Sequence, residues 1–390
     1  MYPELAPPRR ILLGPGPSEA HPRVLKAMST PLLGYFDPAF FALMDSVQQM
    51  LREVFRTRNR HTFPVSGTGN LGTEAALVNL LEPGETAVIG VKGHFGNRMA
   101  DIVERIGGKV VKVEAPWGEI VAQNRMIEAI RKARPKVVGI VHAETSTGVC
   151  QPLQDIGKAS REVGAFLVAD CVTSLGGVPL EVDEWGVDVA HSGTQKCLSC
   201  PPGLAPITFS DRAVEAIRAR RTRVPSYYVD VALLLQHWSD GSTQRTYHHT
   251  PPTSLIYGLY EGLRIVLEEG LEARFERHRL NSEALVAGLT AIGLEMASQE
   301  GHRLWTLNAV RVPEGIDEAR VRAQLLADHS LEIGAGLGPL KGRIWRIGLM
   351  GYCSTRNNVL MALAGIEEAL RKQGFKAKGS GVEAAVARYR

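Results

Sequence analysis

Residues 65–75 read VSGTGNLGTEA, in which Gly67, Gly69 and Gly72 spell G-x-G-x-x-G. A β-rich TFPV (62–65) precedes the glycines, and NLGTEAALVNLL (70–81) follows with the composition of a helix. A strand, a tight glycine turn and a helix start form the setting in which this fingerprint binds a dinucleotide. The same setting holds any small phosphate, because the first N–H groups of a helix have no partner within it. The stretch therefore predicts a phosphate cup on an α/β unit and leaves its ligand open.

The surrounding pattern extends that unit. Short β-rich runs recur at TAVIGV (86–91), KVVKV (109–113), KVVGIVH (136–142), AFLVAD (165–170), VDVAHS (187–192) and LAPITFS (204–210). Helical spacing separates several of them, at NRMADIVERIG (97–107), NRMIEAIRKA (124–133) and LQDIGKASREVG (153–164). Alternation of this kind predicts a mainly parallel sheet covered on both faces. After residue 255 the pattern changes to a long helical stretch, 261–293, with a break near Gly270. A smaller α+β region then reads as RLWTLNAVRV (303–312), a helix over 317–329, WRIGLM (345–350) and a last helix over 355–372. The expected division is an N-terminal arm over 1–20, a large domain over 21–258, a small domain over 259–375 and a loose tail over 376–390.

Composition narrows the function classes. The chain has 390 residues, 44% hydrophobic and 22% charged, with a net charge of +4. So small an excess, gathered in patches such as RAVEAIRARRTR (212–223), reads as solvated helix faces and not as a nucleic-acid surface. No apolar run approaches membrane-spanning length. The N-terminus lacks an apolar signal core, so the expected compartment is the cytoplasm. Five cysteines without a framework suit reducing conditions. Cys197 and Cys200 have the C-x-x-C spacing, but two further zinc ligands at comparable spacing are missing, so no metal site is expected.

Ligands of an open parallel sheet bind at the carboxyl ends of its strands. Those ends gather SGTGN, KGHFGN with Phe95, AETSTG with Thr145, Asp170 followed by CVTSLGG, and GTQK with Lys196. A lysine for a Schiff base, an acid for a pyridinium nitrogen and a phosphate cup are what pyridoxal phosphate requires. The dinucleotide reading, that of an NAD(P)-dependent oxidoreductase, needs an acid after the second strand to hold the ribose. Here Lys92, Gly93 and His94 follow TAVIGV.

The whole series of segments resembles the class V, fold-type I aminotransferases, and among them the alanine–glyoxylate and serine–pyruvate enzymes. It runs from LLGPGPSEAHPRVL through SGTGN, ETSTGV, ADCVTSLGG, SGTQK and YHHTPP to GLGPLKGRIWRIGLMG, in order over residues 10 to 370. The resemblance implies pyridoxal phosphate as cofactor and a homodimer with shared active sites. It implies that Lys196 carries the cofactor and shuttles the proton between Cα and C4′, and that Asp170 keeps the ring nitrogen protonated. Ser66, Gly67, Thr68 and Gln195 would hold the phosphate, with Tyr247 and Thr250 reaching it from the partner subunit. Phe95 and Thr145 would lie at the ring. Arg346 would grip the substrate carboxylate, with Gly14, Tyr35 and Ser174 lining the substrate side. Asn70 stands where some relatives carry His, and its role is open. His248 and His249 read as structural. The implied reaction is a ping-pong exchange between alanine or serine and glyoxylate or pyruvate. The alternative is ureidoglycine–glyoxylate transamination, whose enzymes tend to have Gln and Asn where this chain has Tyr35 and Tyr247.

Overall fold

The computed structural model describes residues 2–238 and 245–390. Its strands are β1 (Ile11–Leu13), β2 (His61–Ser66), β3 (Thr86–Val91), β4 (Lys109–Glu114), β5 (Val137–Val141), β6 (Ala143–Glu144), β7 (Val149–Cys150), β8 (Phe166–Asp170), β9 (Val189–His191), β10 (Leu204–Phe209), β11 (Leu307–Arg311), β12 (Leu331–Ala335) and β13 (Ile344–Gly348). The seven-stranded sheet has the order β2-β10-β9-β8-β5-β3-β4. From β9 through β4 all neighbours are parallel. Helices Gln123–Ala133 and Gln154–Glu162 lead into β5 and β8, as parallel neighbours require. Strands β5, β8 and β9 are buried along their whole length, the signature of a sheet covered on both faces. Only β10 runs against β2 and β9. No feature of LAPITFS distinguishes its direction, because a fully buried strand reads the same either way.

The register sets the functional edge. Val141, Asp170 and His191 stand side by side at the ends of β5, β8 and β9. The helix Gly69–Leu80 leaves β2 beside them, close enough to the sheet that a Cβ on Gly72 would lie 3.0 Å from the His191 ring. Gly72 is thus a packing residue.

The second sheet has the order β1-β12-β13-β11. Arg346 sits in β13 between Ala309 of β11 and Gly334 of β12. β1 pairs in parallel with β12, Ile11 opposite Leu331, so the expected extended arm is part of this sheet. The expected loose tail is also ordered. Residues 381–388 form a helix against Leu271–Ile292, with Gly288 and Gly381 allowing their backbones to approach and Tyr389 Oη donating to Asn281 Oδ1 at 2.7 Å. Its short apolar pattern gives no warning of this, since the contact rests on glycines. One apolar cluster takes residues from Val24 to Val266, and another takes Leu13 and residues from Ala284 to Ala385. A boundary at 258/259 would cut the helix Thr253–Glu269, whose Leu259, Leu263 and Val266 belong to the first cluster. We propose the division at Gly270, where φ is 82° and the helix breaks. Among the described residues no helix is long and apolar enough to cross a membrane.

Candidate active site

The loop after β9 is tied down before it reaches its lysine. Ser192 N donates to Pro206 O at 2.7 Å, and Thr194 Oγ1 to Pro201 O at 2.7 Å. Ser18, from the N-terminal segment, donates through its N–H to Gln195 O at 2.8 Å and through Oγ to Lys196 O at 2.6 Å. Lys196 Nζ then donates to Pro15 O. Gly16 has φ 121°, and a Cβ there would overlap Lys196 Nζ, so only glycine leaves room for the amine. Burial pulls the Lys196 ammonium down to about 8, with Arg346 and Arg98 adding to the shift and Cys197 and Asp170 opposing it.

Lys196 and Asp170 line one cavity of about 140 Å³, together with Thr68, Phe95, Thr145 and Gln195. Asp170 is 3% exposed, and its Oδ1 accepts from Val172 N at 3.0 Å. Thr68 caps the helix Gly69–Leu80, yet its side chain takes none of the first-turn N–H groups. Gln195 Oε1 is buried with no protein partner. Thr145 bonds Thr173 through its hydroxyl, and its carbonyl accepts from Arg346 Nη1 at 3.2 Å. Arg346 Nε donates to Ala335 O at 2.7 Å. The two carbonyls fix the plane of a guanidinium that burial lowers to about 10, against the opposing pull of Glu144. Ser174 Oγ is buried without a partner. Gly14, at the exit of β1, passes so close to β13 that a Cβ on Gly348 would overlap its carbonyl.

Other expected residues are not among those that line the cavity. Ser66 Oγ bonds His249 Nε2 at 2.8 Å, and Gly67 packs under Leu71. Tyr247 is 50% exposed, with its hydroxyl 3.2 Å from Thr250 Oγ1 and its ring centroid 5.4 Å from that of Tyr35. Cys197 and Cys200 donate to the carbonyls of Thr173 and Gly258, and burial pushes their thiols up to about 11 and about 12. Such thiols are unreactive.

Arg98 is a cavity residue that the sequence reading did not single out. Arg98 places its guanidinium over the Phe95 ring at 4.7 Å. The signal was the i, i+3 spacing of the pair on the helix His94–Arg105. Asn70 also lines the cavity, with Nδ2 on Glu74 Oε1 at 3.1 Å and a buried Oδ1 without a partner. Glu144 is wholly buried and accepts from Ser146 Oγ at 2.5 Å, joining the Thr145 loop to the first turn that carries Phe95. A larger hollow of about 740 Å³ lies beside Trp305 on the helix Leu271–Ile292, but its lining holds no lysine.

The cavity fits pyridoxal phosphate by its own residues: a buried amine, an acid at the neighbouring strand end and a helix start whose first N–H groups take no side-chain cap. The ribose-binding acid of a dinucleotide site has no counterpart. In its place Lys92 is fully buried and donates to Val141 O.

Comparison with known proteins agrees with this chemistry. The family model for aminotransferase class-V matches residues 12–341. The chain is 43% identical to (S)-ureidoglycine–glyoxylate transaminase of Bacillus subtilis (strain 168), over 99% of this chain and 97% of the relative. It is 42% identical to alanine–glyoxylate aminotransferase of Drosophila melanogaster, over 95% of each. A solved alanine–glyoxylate aminotransferase from Nostoc sp. superposes with a TM-score of 0.93 at 46% identity, covering 95% of this chain and 98% of that one.

Proposed function

The chain belongs to the class V aminotransferases, and from that premise we propose that it passes the amino group of alanine or serine to glyoxylate or pyruvate. The observation that carries the reaction type is the convergence of Lys196 and Asp170 on one cavity with Arg346 held at its side by the Thr145 carbonyl. Pyridoxal phosphate, when bound, supplies the carbonyl that takes up the amino group and a ring that accepts electrons released at Cα. Lys196 Nζ anchors that carbonyl at rest. Its low proton affinity would suit it to take the α-proton and return it. Asp170 holds a proton on the ring nitrogen. Backbone N–H groups at Ser66, Gly67 and Thr68, with Gln195, hold the phosphate at the helix start. Phe95 and Thr145 bound the ring, and Arg346 orients the substrate carboxylate as a fork. Gly14 and Ser174 close the substrate side.

Tyr247 and Thr250 lie outside their own chain's cavity and expose a paired hydroxyl. We assign them to the phosphate of a second copy, in a homodimer with shared sites. Five free thiols fit the cytoplasm. Glyoxylate is in the names of both relatives. For the donor, the contact between the Tyr35 and Tyr247 rings supports a small unadorned amino acid, because it offers ring faces where a ureido group needs amide partners. Identity to the Bacillus relative over nearly the whole chain favours a second reading, ureidoglycine as donor. A donor–acceptor matrix on purified protein decides between them. Alanine or serine with glyoxylate is expected to exceed ureidoglycine with glyoxylate. The reverse ranking overturns the donor assignment and leaves the reaction type standing.

A further inference from the structure

A hydrogen-bonded chain leads away from Ser66, and its polarity follows from its far end. His248 Nε2 lies 3.1 Å from the carbonyl oxygen of Tyr227. A carbonyl only accepts, so Nε2 carries a proton. In a neutral His248, Nδ1 is then an acceptor. It lies 2.8 Å from His249 Nδ1, which must donate. His249 Nε2 is left as an acceptor, 2.8 Å from Ser66 Oγ. The Ser66 proton is therefore spent on His249, and the hydroxyl can offer only lone pairs to the turn that follows. An anion in that turn would meet a lone pair.

One added proton reverses the chain. With His248 protonated on both nitrogens, its Nδ1 donates to His249 Nδ1, His249 Nε2 donates to Ser66 Oγ, and the Ser66 hydroxyl is free to donate elsewhere. We propose that His248 and His249 are positioning residues for the cofactor phosphate: when it binds, His248 takes up a proton from solvent at Nδ1, the relay reverses, and the Ser66 hydroxyl turns toward the phosphate. When the phosphate leaves, the proton returns to solvent and the chain reverts. The inference rests on the reading that the Ser66–Thr68 turn holds the phosphate.

The surroundings of His249 disfavour its charged form. His249 is pulled down to about 4 by burial, then by His237 and His248. His237 sits 5.2 Å away, ring to ring, with its Nδ1 on the Thr246 carbonyl and its Nε2 unpartnered. Burial lowers His237, the Thr246 carbonyl opposes that, and His248 and the Asp45-paired Arg245 lower it further. Tyr227 stacks on His248 at 4.8 Å, and Tyr228 lies 5.2 Å from His249 while its hydroxyl donates to Ser66 O at 3.1 Å. No carboxylate bonds either histidine of the relay among the described residues, so an incoming phosphate is the charge that favours the proton.

The test is calorimetric titration of cofactor-stripped protein with 4′-deoxypyridoxine phosphate, which has ring and phosphate but no aldehyde for Lys196. Runs in buffers of different ionisation enthalpy count the protons taken up at pH 8. The unaltered protein is expected to take up about one proton more per site than Ser66→Ala, and its affinity to fall about tenfold more per pH unit. His249→Gln presents an amide N–H to Ser66 at every pH, so it is expected to keep the affinity and lose the extra proton. Equal proton uptake by the unaltered protein and Ser66→Ala overturns the relay. Failure of the unaltered protein to bind the probe overturns the phosphate reading beneath it.

Discussion

Two lysines stand at strand ends of the large sheet, one after β3 and one in the loop after β9. Burial lowers both Lys92 and Lys196 to about 8. Each Nζ donates to one backbone carbonyl, Val141 for Lys92 and Pro15 for Lys196. By electrostatics alone they are equivalent candidates for a reactive amine. Their settings differ. Lys92 is fully buried and does not line the cavity that Lys196 and Asp170 share. A perturbed proton affinity marks a desolvated group, and function needs in addition a place for the substrate.

The most severe way to break that comparison is to remove each amine. Lys196→Ala is expected to lower kcat for alanine–glyoxylate exchange by about a thousandfold or more, while Lys92→Met stays within about tenfold. Equal losses would mean that placement does not separate the two lysines. Next in size is Arg346→Gln, expected to cost about ten- to a hundredfold in kcat/KM for the amino donor, since a charged hydrogen bond is worth about 1.5–3 kcal/mol. Unchanged kcat/KM would remove Arg346 from the substrate side.

The pH dependence of stability sharpens the comparison. Lys92 holds its proton up to about pH 8 when folded and to 10.5 by its ordinary value. Between those values the unfolded chain binds more protons, so stability rises with pH. Denaturant melts should show the unaltered protein gaining up to about 2–3 kcal/mol on Lys92→Met between pH 7 and 10. A difference that stays flat would show that Lys92 is not desolvated as its burial implies. The smallest effect concerns the helix beside Lys92. A Cβ on Gly96 would meet Gly90 O at 2.8 Å and Val91 Cα at 3.0 Å, both backbone. Gly96→Ala should therefore cost about 1–2 kcal/mol in melts despite its better helix propensity.

Both lysines were visible in the sequence, and so was the frame around them. TAVIGV coincides with β3 residue for residue, because a strand buried on both faces is a plain apolar run. Gly270 was legible as a break because a glycine there interrupts an otherwise continuous helical pattern. The sequence could not reveal β12, whose LEIGA is a poor strand former and depends on two neighbours for pairing. The helix Pro38–Phe55 has its signals, Asp37 as cap and Pro38 in its first turn, but it lies outside the strand–helix alternation. In the site, Lys196 and Asp170 were legible because the strand order brings their ends together. The linkage of His248 and His249 to Ser66 was not, since it joins residues 183 positions apart through side chains whose direction no local pattern encodes.

The pairing of β1 with β12 has a consequence for how the protein is made. Residues 11–13 are synthesised long before their partners at 331–333. The segment 15–18, which holds the lysine loop, hangs from that strand. A nascent chain can complete its large sheet before β12 exists, yet the segment that holds the Lys196 loop cannot be anchored to β12 until residues 331–333 have been made. The amine thus becomes properly seated only after β12 has been translated.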